Sequence, residues 1–325
     1  PDWADMMLIA PATANVLCKM AHGIADDALT TTFAAMRKPV LIAPAMNTNM
    51  YESPATQEAI KQLSQWDNIT MLDAASGELA CGTSGKGRMQ EIDVLLAAAQ
   101  YVLTPKTLDG KRVLITAGPT HEAIDPVRYI TNASTGKMGY AIASACLRRG
   151  AQVTLVSGPS QISMKAWEAF APLTIVPVKS AMDMYNATLH SFDRSDISIL
   201  CAAVADFTPQ TQASQKIKKE KGQTTMTLEM TITKDIAASL GEIKHKDQKL
   251  VGFALETHDE LSNAQRKLQT KNLDMIVLNS LQDKGAGFGT DTNKVTFVYP
   301  NGTTKNLPLI SKEEVADEII NNILE

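Results

Sequence analysis

The densest chemistry in this chain lies between His121 and Asn132, where Glu122, Asp125 and Arg128 also occur. An imidazole, two carboxylates, a guanidinium and an amide in so short a stretch exceed what a simple connection needs. Directly after them come Ser134, Gly136 and Gly139. These belong to the string VLITAGPTHEAIDPVRYITNASTGKMGYAIASACL, Val113 to Leu147, which reads as a strand, a long polar loop and a helix. The helix is expected to open near Ser134, with Gly136 and Gly139 in its first turn. Free N–H groups and the helix dipole favour an anion at such a start. The combination points to an enzyme that handles phosphorylated substrates. A second candidate is Asp206, just beyond an apolar run, at the strand end where open α/β sheets place ligands. Capping of the following turn is its competing role.

The elements that must position these groups alternate along the whole chain. Apolar runs predict strands at Met6–Ala10, Pro39–Ala43 and Ile69–Leu72, and then at Val113–Ala117, Val153–Ser157, Ile175–Val178, Ile197–Ala202, Leu250–Ala254, Met275–Leu278 and Val295–Tyr299. Continuous apolar strands between helices imply a parallel sheet covered on both faces. Ser53 and Pro54 mark a helix start, and Ser311 with Glu314 forms a capping box before Val315, Ile319, Ile320 and Ile323. Pro105 and Gly110 punctuate a polar boundary at LTPKTLDGK. The stretch 208–225 is rich in Gln, Lys and Ser and shows no period.

Composition narrows the class. At 325 residues the chain has room for two domains, and a net charge of −4 argues against a nucleic-acid partner. The four cysteines form no CxxC pair, which excludes a structural zinc pattern and suits a cytoplasmic location. No apolar run reaches the length of a membrane span. The chain opens PDWADMMLIA, without Met, so its start is expected to lie upstream. An NAD-type oxidoreductase is disfavoured, because no GxGxxG follows a strand.

Six strings occur in order: AGPTHEAIDPVRYITNASTGKMG, AAVADF, KIKK, VGFALET, KNLD and GFGTDTNKV. Together they closely resemble the phosphopantothenate–cysteine ligase domain of bacterial bifunctional coenzyme A biosynthesis proteins, over nearly all of 110–325. The resemblance implies that CTP activates the carboxylate of 4′-phosphopantothenate with Mg²⁺, and that cysteine's amine then attacks the acyl-nucleotide. The residues themselves do not distinguish CTP from ATP. It implies that Asn132 and Arg128 serve the activated carboxylate, while Ser134, Gly136 and Gly139 present backbone to phosphate. Close helix–sheet packing is the alternative for these glycines. It further assigns to the nucleotide Cys201, Ala202, Lys216, Lys234, Asp235, Ile236, Ala237, Phe253, Lys267 and Lys271, with Asp206 reading it or holding Mg²⁺. Lys267 and Lys271, four apart on a helix, can face one anion.

Residues 1–100 carry WAD, IAPATAN, APAMNTNMY and ACGTSGKGRM. These resemble the flavin-dependent cysteine decarboxylases. The signature PxMNxxMW of that family appears as Pro44, Met46, Asn47, Met50 and Tyr51, with Tyr in place of Trp. The resemblance implies bound FMN, Cys81 as proton donor, Asn47 on the substrate carboxylate, and Thr13, Asn15 and Met46 at the flavin. The catalytic His of the family precedes WAD, so an incomplete decarboxylase site is expected. The expected fold is α/β with two Rossmann-like domains: an incomplete flavodoxin-like flavoprotein domain over 1–104, a linker over 105–111 and a doubly wound ligase domain over 112–325. A homo-oligomer is implied as well. A ligase alone, with the first domain serving assembly, is the alternative.

Overall fold

A computed structural model describes residues 2–78, 82, 84–219, 221–256, 259–280 and 289–324. The chain divides into two compact units, Pro1–Thr107 with Met164–Ala171, and Leu108–Ser163 with Pro172–Glu325.

In the first unit β1 (Met7–Ala12), β2 (Val40–Pro44) and β3 (Ile69–Met71) form a parallel sheet in that order. The predicted apolar runs match these strands to within two residues. Every residue of β2 is buried, as a strand covered on both faces requires. On one face Val40 and Ile42 meet Leu17 and Met20 of α1 (Ala14–Ala21), Phe33 of α2 (Ala28–Ala34) and Leu63 of α4 (Pro54–Leu63). On the other, Leu41 and Ala43 meet Val94, Leu95 and Ala98 of α5 (Ile92–Leu103). Ser53 caps α4 with Pro54 in its first turn. The short α3 (Thr48–Tyr51) follows β2, and β4 (Ala75–Glu78) pairs antiparallel with β5 (Ser84–Arg88).

The second unit is built on β6 (Arg112–Ala117), β9 (Gln152–Ser157), β10 (Leu173–Pro177), β11 (Ile197–Leu200), β14 (Lys249–Glu256), β15 (Met275–Ser280), β17 (Val295–Val298) and β18 (Thr304–Asn306). Their order is β10-β9-β6-β11-β14-β15-β17-β18. The first six are parallel. Ranked by sequence, they take the 3-2-1-4-5-6 order of doubly wound dinucleotide-binding sheets. The expectation of a wholly parallel sheet fails at β17 and β18, which are antiparallel. They are joined by a turn in which Tyr299 N–H donates to Thr303 O at 3.1 Å, and parallel pairing needs a much longer crossover.

Helices cover both faces of this sheet. Leu114, Leu250 and Ile276 pack with Met184 and Phe192 of α8 (Ala181–Phe192), Leu240 of α9 (Ile236–Ile243) and Leu268 of α10 (Glu260–Thr270). The alternating residues Val113 and Ile115 are buried too and point the other way. On that side α6 (Lys137–Arg148) and α11 (Lys312–Leu324) are joined where Arg148 and Arg149 both bind Asp317. The capping box at the start of α11 is present, with Ser311 N–H donating to Glu314 Oε2 at 2.8 Å and Glu314 N–H to Ser311 Oγ at 3.1 Å.

Two differences concern domain limits. Leu108, inside the stretch read as linker, is 1% exposed and donates its N–H to Arg149 O. Residues 164–171, with α7 (Lys165–Glu168), pack in the first unit although they lie far beyond its sequence. Ala166 and Phe170 supply apolar cover to the Val94–Leu95–Ala98 cluster. Three short ribbons had no legible period: β7 (His121–Ala123) with β8 (Tyr129–Thr131), β12 (Phe207–Pro209) with β13 (Met230–Ile232), and β16 (Thr292–Asn293) with β19 (Ile310–Ser311). Among the described residues no helix is long and apolar enough to cross a membrane.

Candidate functional site

Chain connections leave β6 and β11 in opposite directions, and a crevice opens beyond their carboxyl ends. The two loops that follow these strands are laced together there. Cys201 N–H donates to Thr116 O at 3.2 Å, Ala203 N–H to Gly118 O at 2.9 Å, and Ala205 N–H to Thr120 Oγ1 at 3.0 Å. Asn132 closes the lacing by donating from Nδ2 to Ala203 O and Val204 O, both at 3.1 Å. Its amide donors are thereby used, and its side chain is fixed at the rim of the cleft.

The helix beside this crevice starts later than expected. Gly136 is the cap of α6, with φ 84°, and no side chain among the described residues caps the helix. Ser134 lies before it and accepts from Gly136 N–H through Oγ at 3.2 Å. A Cβ on Gly139 would lie 2.6 Å from Ala117 Cβ and 3.1 Å from Ala117 Cα. The absence of a side chain therefore lets α6 rest directly on β6. For Gly139 close packing is thus a real role, although the residue also lines the cleft.

The cleft comprises two hollows that share Ala202, Ala203, Phe253, Ala254 and Leu255. The smaller, about 140 Å³, lies against the start of α6, with Ser134, Gly136, Gly139 and Cys201 in its wall. The larger, about 490 Å³, is lined by Asn132, Asp206, the run Lys234, Asp235, Ile236 and Ala237, and the pair Lys267 and Lys271. One continuous cleft thus gathers most of the candidate residues. Two stand outside its lining. Lys216 is exposed, and Arg128 has its guanidinium committed to Asp125 and to Ile217 O.

Charge in the cleft is partly paired. Lys271 Nζ lies 2.8 Å from Asp235 Oδ2, and Asp235 Oδ1 also accepts from Ala238 N–H at 3.0 Å, capping α9. Lys234 Nζ sits 4.6 Å above the Tyr185 ring. Burial pushes the Cys201 thiol up to about 12, so it is protonated and no nucleophile at neutral pH. Asp206 is exposed, and its carboxylate has no side-chain partner among the described residues. Nor do the described residues contain a group of three or more metal-ligating side chains. A lone carboxylate suits Mg²⁺ that arrives on phosphates and completes its shell with water.

Sequence reading passed over Lys312 and Asn279. Lys312 is 7% exposed, lines the smaller hollow, and has its pKa lowered by burial and then by Lys137. Asn279 Oδ1 is buried there without a hydrogen-bond partner among the described residues. Lys312 was hidden inside a capping box, where its neighbours explained the pattern. Asn279 ends an apolar strand, which is a strand-end signal of the same kind as Asp206.

In the first unit the candidate residues collect at the carboxyl edge of β1 and β2. Thr13 caps α1, and both Thr13 and Asn15 are exposed. Ala45 N–H donates to Ala12 O at 2.9 Å, which sets the loop bearing Met46 and Asn47 beside them. Asn47 caps α3 through Asn49 N–H at 2.9 Å. The Met46 side chain packs on the apolar core, and its N–H donates to Gly87 O at 2.9 Å. Strand β5 therefore lies on the Asn47 loop, backbone to backbone. Tyr51, 5% exposed, keeps an aromatic ring in the core and reaches Asp73 Oδ1 with its hydroxyl at 3.4 Å. Cys81 lies outside the described residues.

With this geometry in view, comparison with known proteins is decisive. Residues 108–325 match the family described as DNA/pantothenate metabolism flavoprotein C-terminal domain, and residues 1–103 match the Flavoprotein family. Over 325 residues the chain is 51% identical to the coenzyme A biosynthesis bifunctional protein CoaBC of Bacillus subtilis (strain 168), covering 99% of this chain and 78% of that one. The chain belongs to the CoaBC family. A further relative, a cysteine/cysteine sulfinic acid decarboxylase of an unknown prokaryotic organism, is 48% identical over 327 residues, with 99% of this chain and 89% of that one covered. A crystal structure of the C-terminal domain of a CoaBC protein superposes with a TM-score of 0.55 at 41% identity, over 67% of this chain and 96% of that chain. As a CoaBC member the protein is a bifunctional enzyme of coenzyme A biosynthesis, with ligase and decarboxylase activities.

Proposed function

We propose that the second unit joins 4′-phosphopantothenate to cysteine with consumption of CTP, and that the first unit decarboxylates the product with the help of FMN. The observation that carries this reading is the single cleft at the sheet's switch point, where Asn132, Asp206, Lys267, Lys271 and the uncapped start of α6 converge.

In the ligase a carboxylate oxygen of 4′-phosphopantothenate attacks the α-phosphorus of CTP, and pyrophosphate leaves. Cysteine's amine then attacks the acyl carbon, and CMP leaves as the amide forms. Asp206 is the residue that would hold Mg²⁺, which would neutralise the phosphates. The N–H groups of α6 and the ammonium groups of Lys267 and Lys271 balance their charge. Lys216 approaches the triphosphate from its own segment, and Phe253 with Lys234, Asp235, Ile236 and Ala237 frames the nucleotide. Asn132, already fixed by two carbonyls, keeps the acyl-nucleotide in register for the amine.

Thr13, Asn15 and Met46 fit a flavin, since they share one strand edge with Asn47. FMN, when bound, would supply the two-electron redox chemistry at the substrate thiol. Asn47 orients the substrate carboxylate that departs as CO₂, and Cys81 supplies the proton that completes the reduced product. The relative named as a decarboxylase supports this activity over a purely assembling first unit. Exposed Phe207 and Ile232, 52% and 78% accessible on the β12–β13 ribbon, offer an apolar face for a homo-oligomer.

The test is multiple-turnover release of pyrophosphate, which should require CTP, 4′-phosphopantothenate and cysteine together. Asn132→Ala should cut ligation by about 100-fold, the scale for a misplacement of about 1 Å. FMN absorbance and decarboxylation should survive that change. Amide formation that is indifferent to Asn132 would sink the ligase reading of this cleft, and equal use of ATP would sink the choice of CTP.

A further inference from the structure

Asp125 and Arg128 sit in the turn between β7 and β8, and both reach the same remote residue. Asp125 is fully buried by its side chain. Its Oδ1 accepts from Val127 N–H at 2.8 Å and Arg128 N–H at 2.9 Å. Its Oδ2 accepts from Arg128 Nε at 3.0 Å and from Ile217 N–H at 3.1 Å. Arg128 Nη2 pairs with the same carboxylate and also donates to Ile217 O at 2.8 Å. The N–H and the C=O of one peptide residue are therefore both held by an ion pair. Nearby, Ala213 N–H donates to Ile124 O at 3.0 Å.

Ile217 is the neighbour of Lys216. We infer that Asp125 and Arg128 are positioning residues that clasp the segment 211–219 and thereby set where Lys216 can reach. Resting on the ligase reading above, the inference deepens it. A chain stretch between β12 and β13 samples many conformations unless it is pinned, and a pin loses effect with each residue away from it. Lys216 is one residue from the anchor, so its backbone inherits the fix. The other end of the clasp matters equally. Strand β8 runs on into Asn132, whose amide is tied to Ala203 O and Val204 O. One ribbon thus references both Lys216 and Asn132 to the floor of the cleft. Arg128 acts through this grip and does not itself touch substrate.

The experiment uses the full chain loaded with FMN and compares Asp125→Asn and Arg128→Lys with the unaltered protein. Hydrogen exchange of the 213–218 amides is measured by mass spectrometry, with ligation kinetics and decarboxylation on the same samples. Asp125→Asn should raise exchange of these amides about tenfold or more. Ligation should lose about tenfold or more in kcat, with the KM for 4′-phosphopantothenate changed less than about twofold. Arg128→Lys keeps the charge but not the fork, and should give a smaller change in both readouts. Decarboxylation should be unaltered, which verifies folding. Unchanged exchange in Asp125→Asn overturns the clasp. Faster exchange with unaltered ligation overturns its bearing on the reaction, while the ligase reading still stands or falls on Asn132→Ala. A fall in kcat for Arg128→Lys without faster exchange overturns the inference as well, because it would make Arg128 a direct ligand.

Discussion

Asp235 shows how a side chain at the cleft rim is shared between fold and site. It caps α9 and pairs with Lys271 at 2.8 Å. Burial, the largest influence, pushes its carboxyl upward, yet Lys271 and the N–H groups of Ala238 and Ala237 outweigh it and leave the pKa below the ordinary value. A carboxyl whose pKa is lower folded than unfolded adds stability above its unfolded pKa. That contribution disappears as pH falls through the folded value. The stability gap between the protein and Asp235→Asn should then be constant from about pH 5 to 9 and shrink below about pH 4. Urea unfolding across that range checks it, and a gap that widens on acidification would reverse the sign. At this scale the sequence was partly legible. The spacing of Lys267 and Lys271 put both on one helix face, and both line the cleft. The pairing of Lys271 with Asp235 was hidden, since nothing local links the start of α9 to the end of α10. The pairing of Arg128 with Asp125 was hidden for the opposite reason: the partner stands three residues away and reads as more chemistry instead of its counter-ion.

Among the elements, parallel strands were legible because burial on both faces leaves an unbroken apolar run, as in β2, where every residue is buried. Ribbons of two to five residues carry no such signal, and neither does strand direction at β17 and β18. The β4–β5 hairpin illustrates what an element of this kind does. Gly87 has φ 147°, and a Cβ there would fall 2.2 Å from Met46 O. That obstacle is backbone and cannot swing aside. Gly85 faces the Thr48 side chain, with 2.4 Å to Oγ1, an obstacle that can rotate away. Gly87 is therefore the condition for β5 to lie on the Asn47 loop. Gly87→Ala should lift the strand from the loop and lower decarboxylation about tenfold or more, since misplacement of about 1 Å can cost that much. Ligation in the same chain should be untouched. Assaying both activities on one preparation checks this, and equal losses in the two would point to global unfolding instead.

For the whole molecule, the unit boundaries follow packing and not chain order. The sequence break at LTPKTLDGK is visible because Pro and Gly punctuate it, whereas the return of residues 164–171 to the first unit has no such mark. Its cause is apolar surface. The ring of Phe170 stands 5.9 Å from Tyr101 in an edge-to-face pair and 5.5 Å from Trp167, and it packs on the Val94–Leu95–Ala98 cluster of α5. An edge-to-face pair adds to burial because a positive ring edge meets a negative face. Phe170 is half-buried, so Phe170→Ala should cost about 2 kcal/mol, below the ~3–5 kcal/mol of a fully buried ring. Chain order alone would place that loss in the second unit, in the connection between β9 and β10. Packing places it in the first. Hydrogen exchange of Phe170→Ala should therefore speed the amides of α5, residues 92–103, and leave those of β6 and β9 at their original rates. The reverse pattern would return residues 164–171 to the unit that surrounds them in sequence. It would also remove the physical reason for a flavoprotein unit that completes its core with residues from beyond residue 107.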